Sequence, residues 1–158
     1  MISFDIIFLR KWWILDFERI KKKFPLDMYF KNAKKLGREV LDTYFSKVPY
    51  SKEEREKEIR FFYENLEFIT KKWVLEILWE LETYKGSNFN ELKRALKGIS
   101  SRSLSDRLKD LEEHNIVSRI VEDTRPPSVL YRLSEKGKGF VELMTLVILF
   151  LKKNKENT

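Results

Sequence analysis

Residues 88–115 read Asn88-Phe89-Asn90-Glu91-Leu92-Lys93-Arg94-Ala95-Leu96-Lys97-Gly98-Ile99-Ser100-Ser101-Arg102-Ser103-Leu104-Ser105-Asp106-Arg107-Leu108-Lys109-Asp110-Leu111-Glu112-Glu113-His114-Asn115, and this stretch decides the fold. Leu92 and Leu96, then Leu104, Leu108 and Leu111, recur at the three- and four-residue spacing of helices that bury one face. Gly98 stands where a C-terminal cap belongs, and Ser100 where an N-cap belongs. Asn115 suits a helix end because, after Gly, it adopts the left-handed conformation at least cost. Two helices joined by a tight turn are predicted.

On the C-terminal side, Ile116 to Asp123 and Val129 to Ser134 are rich in β-formers. They flank Thr124-Arg125-Pro126-Pro127-Ser128, which predicts a hairpin with a proline-stiffened tip. Ser134 caps a last helix running to Lys153, apolar nearly all round from Val141 to Leu151. On the N-terminal side, Ser51 with Glu54 three residues on forms a capping box. The helix it opens carries Ile59, Phe62, Leu66, Ile69 and Trp73 on one face. Periodicity leaves open whether that helix continues unbroken through Thr70-Lys71 into Trp73 to Thr83.

Before Ser51, a helix over Asp27 to Lys47 shows a stripe of Tyr29, Ala33, Leu36, Val40, Tyr44 and Phe45, with Lys31, Lys34, Lys35 and Arg38 on another face. A further helix over Ser3 to Phe24 is ended by Pro25, which cannot continue the hydrogen-bond ladder. Its Phe8, Trp12, Trp13 and Phe17 are assigned to core or dimer contacts in preference to a ligand cavity. Helix, short helix, turn, helix, two-stranded hairpin and helix is the order of a winged helix-turn-helix. The expected fold is mainly α with a small β-hairpin wing. Residues 1–50 are expected to form an N-terminal helical extension for dimerisation, with DNA-flanking contact through Lys31, Lys34, Lys35 and Arg38 as a second role, 51–139 the winged helix, 134–153 a C-terminal dimerisation helix, and 154–158 a frayed tail.

Composition narrows the chemistry. The 158 residues hold 32 Lys and Arg against 25 Asp and Glu, one His and no Cys. Without cysteine there is no disulfide scaffold, thiol catalysis, thiol redox sensing, Fe–S cluster or Cys-containing zinc site. His114 alone offers little for metal binding and reads as a helix-terminus residue, near the C-terminal dipole where a cation is favoured. No Gly-rich phosphate loop or nucleophile motif appears, so no enzyme, cofactor or metal is predicted. Met144 to Leu151 is too short to cross a bilayer, which needs about 20 residues, and a cytoplasmic location is expected. The absence of Gln and Cys beside abundant Lys and Glu points to a thermostable protein. A net charge of +7 favours a polyanionic partner.

The runs Lys72-Trp73-Val74-Leu75-Glu76-Ile77-Leu78-Trp79-Glu80-Leu81, Phe89-Asn90-Glu91-Leu92, Leu96-Lys97-Gly98-Ile99-Ser100, Leu108-Lys109-Asp110-Leu111-Glu112-Glu113, Pro126-Pro127-Ser128-Val129-Leu130-Tyr131 and Leu133-Ser134-Glu135-Lys136-Gly137 carry a resemblance. In this order, over about residues 62–151, the chain resembles the HxlR-type regulators, MarR-related winged-helix transcription factors. The resemblance implies a homodimer on double-stranded DNA, held mainly by its terminal helices. Two features depart from the family pattern. The cysteine that members often carry before the first winged-helix helix is missing, and Thr70-Lys71 replaces a Gly pair before Lys-Trp.

At 100° per residue, Arg102, Asp106 and Lys109 lie opposite the Leu104 face. The predicted DNA-contacting set on this helix is therefore Ser101, Arg102, Ser105, Asp106 and Lys109, with Ser100 and the amides after it offered to a phosphate. Arg102 is the base-reading candidate, because guanidinium pairs bidentately with the acceptor edge of guanine. Arg125 at the wing tip suits the narrow minor groove, and Arg132 and Lys136 are assigned to phosphates. The expected function is sequence-specific regulation on a pseudo-palindromic operator. Its alternatives are a chromatin-like DNA-coating protein of the same fold and a winged helix used for protein contact.

Overall fold

The computed structural model describes residues 17–46, 51–125 and 127–155. They form two compact units, one within residues 51–148 and the other of residues 17–46 with 149–155.

In the larger unit, α3 (Lys52–Thr70) opens on the expected capping box. The Glu54 amide donates to Ser51 Oγ at 3.1 Å, and the Ser51 amide to Glu54 Oε2 at 2.8 Å. The helix does not run on. Lys71 is extended and Trp73 takes φ 79°, which breaks the ladder before α4 (Val74–Tyr84). After α4, Lys85 and Gly86 both adopt positive φ and turn the chain into β1 (Ser87–Asn88), a strand that periodicity did not reveal. Asn88 then caps α5 (Phe89–Ala95), and α6 (Ser101–Glu113) follows the Gly98 turn. Strands β2 (Val117–Glu122) and β3 (Ser128–Leu133) form the hairpin, starting within a residue of the predicted bounds. The sheet order is β1-β3-β2, all antiparallel, so β1 adds a third strand to the wing. α7 (Glu135–Lys155) closes the chain.

The core of this unit is aliphatic. Val74, Ile77, Leu78 and Leu81 of α4 meet Leu92, Leu96 and Ile99, then Leu104, Leu108 and Leu111 of α6, each 2% exposed or less. Each buried Leu or Ile contributes roughly 1.5–3 kcal/mol relative to exposure, so these ten side chains dominate the unit's stability.

The apolar face predicted for α3 is corrected by its surroundings. Ile59, Phe62 and Leu66 are about half exposed, and Phe68 is the residue buried. Apolar Leu143, Leu146 and Val147 of α7 are likewise exposed.

In the smaller unit, α1 (Phe17–Lys23) and α2 (Leu26–Phe45) meet the end of α7. Leu26, Phe30 and Leu149 form its buried cluster, flanked by Ile20 and by Phe150, whose ring meets Phe30 edge-on at 5.5 Å. Lys153 pairs with Asp27. The stripe predicted for α2 is open from Leu36 to Phe45; the buried positions are Leu26 and Phe30 instead. The predicted Ser3–Phe24 helix is described only from Phe17, and Phe8, Trp12 and Trp13 lie outside the described residues, as does Pro126 at the wing tip.

Candidate nucleic-acid interface

Helix α6 is held at both ends. At its start, Ser100 Oγ accepts the Ser103 amide at 3.0 Å and donates to Ser103 Oγ at 2.8 Å. The preceding turn is pinned because Lys93 donates to the carbonyl of Ile99. At its end, Asn115 sits at φ 56°; the Asn115 amide reaches the Glu112 carbonyl and the Ile116 amide the Leu111 carbonyl, both at 2.9 Å. That pair of bonds is the Schellman closure.

With Leu104, Leu108 and Leu111 buried, Ser101, Arg102, Ser105, Asp106 and Lys109 all face solvent. Arg102 and Asp106 make no ion pair or hydrogen bond among the described residues, so their polar ends are available to a partner. Lys109 is loosely engaged, 3.7 Å from Glu113 with both side chains more than half exposed. Such a surface pair contributes under about 1 kcal/mol and exchanges easily for a phosphate.

The other predicted residues separate. Arg125 is exposed in the wing turn, on the same unit as α6. Arg132 on β3 lays its side chain over Gly86, where an added Cβ would sit 2.8 Å from its Cγ, so its stem is part of the packing between β1 and β3. Lys136 donates to the His114 carbonyl at 3.1 Å, at the end of α6 opposite Arg102. There it offsets the negative pole of the helix, a structural use that phosphate binding would compete with. His114 stacks on Phe68 with centroids 4.0 Å apart, and its Nδ1 lies 2.7 Å from the Asp110 carbonyl.

Three residues escaped the sequence reading. Lys97, in the turn before α6, and Arg119, on β2, are exposed cations. Asp110 is the third: it accepts from Arg107 Nη1 at 2.7 Å and from Lys71 Nζ at 3.1 Å, tying α6 to the break between α3 and α4. Burial pushes the Asp110 carboxyl up, but Lys71 and Arg107 together outweigh it and hold the group below the ordinary carboxylate range. A lowered folded-state pKa stabilises the protein above the unfolded value of about 4, and that contribution disappears as pH falls through the lowered value. Urea midpoints of the wild type and Asp110→Asn should therefore differ by a constant amount from roughly pH 5 upward and converge below it. A gap that persists at the lowest pH would remove the carboxylate from the account.

Helix α6 carries no excess of positive charge. Arg102, Arg107 and Lys109 stand against Asp106, Asp110, Glu112 and Glu113, a net of −1. With Arg107 engaged by Asp110, Arg102 and the loosely paired Lys109 are the cations that α6 leaves open to a partner.

Comparison with known proteins agrees with the fold. Residues 68–158 match the family model for HxlR-like helix-turn-helix proteins. The chain is 39% identical over 82 residues to a protein designated regulatory protein MalR in Fusobacterium mortiferum, covering 52% of this chain and 77% of that one. Its fold is similar to a solved MarR-family transcriptional regulator of Enterococcus faecalis V583, with a TM-score of 0.56, 27% identity and coverage of 70% and 94%. It is also similar to the redox regulator HypR in its reduced form, with a TM-score of 0.52, 28% identity and coverage of 62% and 93%. A match across more than half the chain, on the elements that build the helix-turn-helix, makes this protein a member of the HxlR-like helix-turn-helix family of transcriptional regulators.

Proposed function

We propose that the protein is a sequence-specific transcriptional regulator that binds double-stranded DNA as a homodimer, placing α6 in the major groove and the wing in the minor groove of a pseudo-palindromic operator. The observation that carries this reading is the solvent-facing Arg102, Ser105 and Asp106 on a helix locked at both ends over a buried leucine face. Rigid presentation of a few side chains is what direct readout requires. Arg102 takes guanine, Asp106 accepts from cytosine N4, and Ser101 and Ser105 bond locally. Arg125 enters the minor groove, with Ser100, Lys109, Arg132 and Lys136 toward phosphates.

A homodimer is supported by the open apolar faces of α3 and α7, where Ile59, Phe62, Leu66, Leu143, Leu146 and Val147 remain exposed in a single chain. Two-fold symmetry then sets half-sites about 10–10.5 bp apart, or a multiple of that. The protein would act in the cytoplasm. The redox role named for HypR is not carried over, since this chain has no thiol to oxidise.

Arg102→Ala tests the reading. On duplex from the chain's own upstream region, the variant should lose about 1–3 kcal/mol of affinity, while binding to random duplex changes little. A uniform loss on both DNAs would favour a coating protein and sink base readout.

A further inference from the structure

The reading helix lacks the positive charge that duplex DNA demands, and α2 presents it elsewhere. Stepping 100° per residue from Leu26, Lys34, Arg38, Lys31 and Lys35 fall within one arc of about 100°. All four are exposed. Two carboxylates share that arc. Asp27 is engaged by Lys153 of α7, and Asp42 lies toward the far end of the helix. Lys35 stands 3.8 Å from Glu39, both well exposed. Lys31, Lys34 and Arg38 make no ion pair among the described residues. From Lys31 to Arg38 the helix rises about 10 Å, which matches roughly three phosphates of one strand at about 3.4 Å of axial spacing.

We infer that this arc of α2 is a second DNA-contacting surface, neutralising backbone phosphates outside the segment read by α6. The inference rests on the duplex-DNA reading above and adds to it the source of the electrostatic term. α2 lies outside residues 68–158, so the surface is an addition to the helix-turn-helix unit. It contributes affinity without sequence preference, because phosphates carry no base information.

The test uses the full chain, with fluorescence anisotropy on labelled upstream duplex and on random duplex, across a salt series. Lys31→Ala/Lys34→Ala/Arg38→Ala should flatten the slope of log Kd against log salt by about 0.9 for each phosphate no longer neutralised, thus by roughly 2–3 per protomer. Its Kd should rise by the same factor on both DNAs, leaving their ratio intact. The charge-keeping variant Lys31→Arg/Lys34→Arg/Arg38→Lys should retain the wild-type slope; this arm separates the removal of charge from a disturbed helix. An alanine variant with the wild-type slope overturns the inference, as does a flattened slope in the charge-keeping variant. Binding to phosphatidylserine vesicles that is abolished in the alanine variant while the DNA slope stays fixed would overturn it in favour of a membrane surface. Wild-type protein that ignores duplex DNA altogether would instead defeat the underlying DNA reading, an outcome distinct from an unchanged slope.

Discussion

Leu104→Ala is expected to cost the larger unit about 2–5 kcal/mol, the range for truncating a fully buried leucine whose site collapses only partly. Leu104 has 0% exposure and stands one turn inside the start of α6, directly beneath the arc that carries Arg102 and Ser105. Neighbouring Leu108 and Leu111 are fixed by the same core, so the cavity has few flexible neighbours to fill it. Against a total stability of about 5–15 kcal/mol, such a loss is a large fraction of the whole. Urea midpoints at matched slopes measure it. DNA binding should fall on every sequence in proportion to the unfolded fraction, and recover when a non-ionic osmolyte such as sucrose restores the fold at unchanged ionic strength. Arg102→Ala, by contrast, should leave the urea midpoint unchanged because its side chain is exposed. If Leu104→Ala costs less than about 1 kcal/mol, α6 is not seated by its leucine face.

That contrast separates what sequence reveals from what it conceals. The leucine face of α6, the Ser100 cap, the Ser51–Glu54 box and the left-handed Asn115 all follow from interactions between near neighbours in the chain. Local rules suffice for them. The wing hairpin is legible for the same reason, since two β-rich runs flank a proline turn. Strand β1 is not, because Ser87 and Asn88 form a strand only by pairing with Tyr131 and Leu130, more than forty residues away. Lys71–Asp110 spans 39 residues and leaves no periodic trace. The break between α3 and α4 is ambiguous in sequence because it uses positive φ at Trp73, a conformation bulky residues rarely adopt.

The apolar faces of α2 and α3 show a different limit. Their 3.6-residue pattern marks a surface requiring cover, but pattern alone cannot say whether cover comes from the same chain. Leu36, Val40, Ile59 and Phe62 stay half exposed or more in a single chain. The candidate site divides similarly. Exposure at Ser101, Arg102, Ser105, Asp106 and Lys109 follows from the helical wheel, whereas the engagement of Lys136 by the His114 carbonyl depends on where α7 begins in space.

Gly137→Ala should destabilise the winged helix by about 1–3 kcal/mol or more, the cost of forcing a methyl group into a packed interior. A Cβ at residue 137 would meet the Ile116 carbonyl oxygen at 2.1 Å and its carbon at 3.1 Å. The obstacle is backbone and cannot swing aside. The Ile116 carbonyl also accepts the Ser134 amide at 3.0 Å, while Ser134 Oγ accepts the Gly137 amide at 3.0 Å and donates to the Asn115 carbonyl at 2.6 Å. Relieving the clash means lifting the first turn of α7 from the α6–β2 junction and weakening all three bonds. Helix propensity works the other way, since Ala is favoured over Gly by about 1 kcal/mol in a helix interior. Gly139→Ala isolates that opposing effect. A Cβ there meets nothing within 4 Å, so this substitution should stabilise by about 0.5–1 kcal/mol. Paired thermal melts of the two variants read the difference directly, and equal melting temperatures would show that α7 does not seat against Ile116. Because Lys136 reaches the His114 carbonyl from the same turn, a lifted α7 also frees the C-terminal end of α6. The Gly137 variant should therefore bind DNA more weakly even at temperatures where it remains folded.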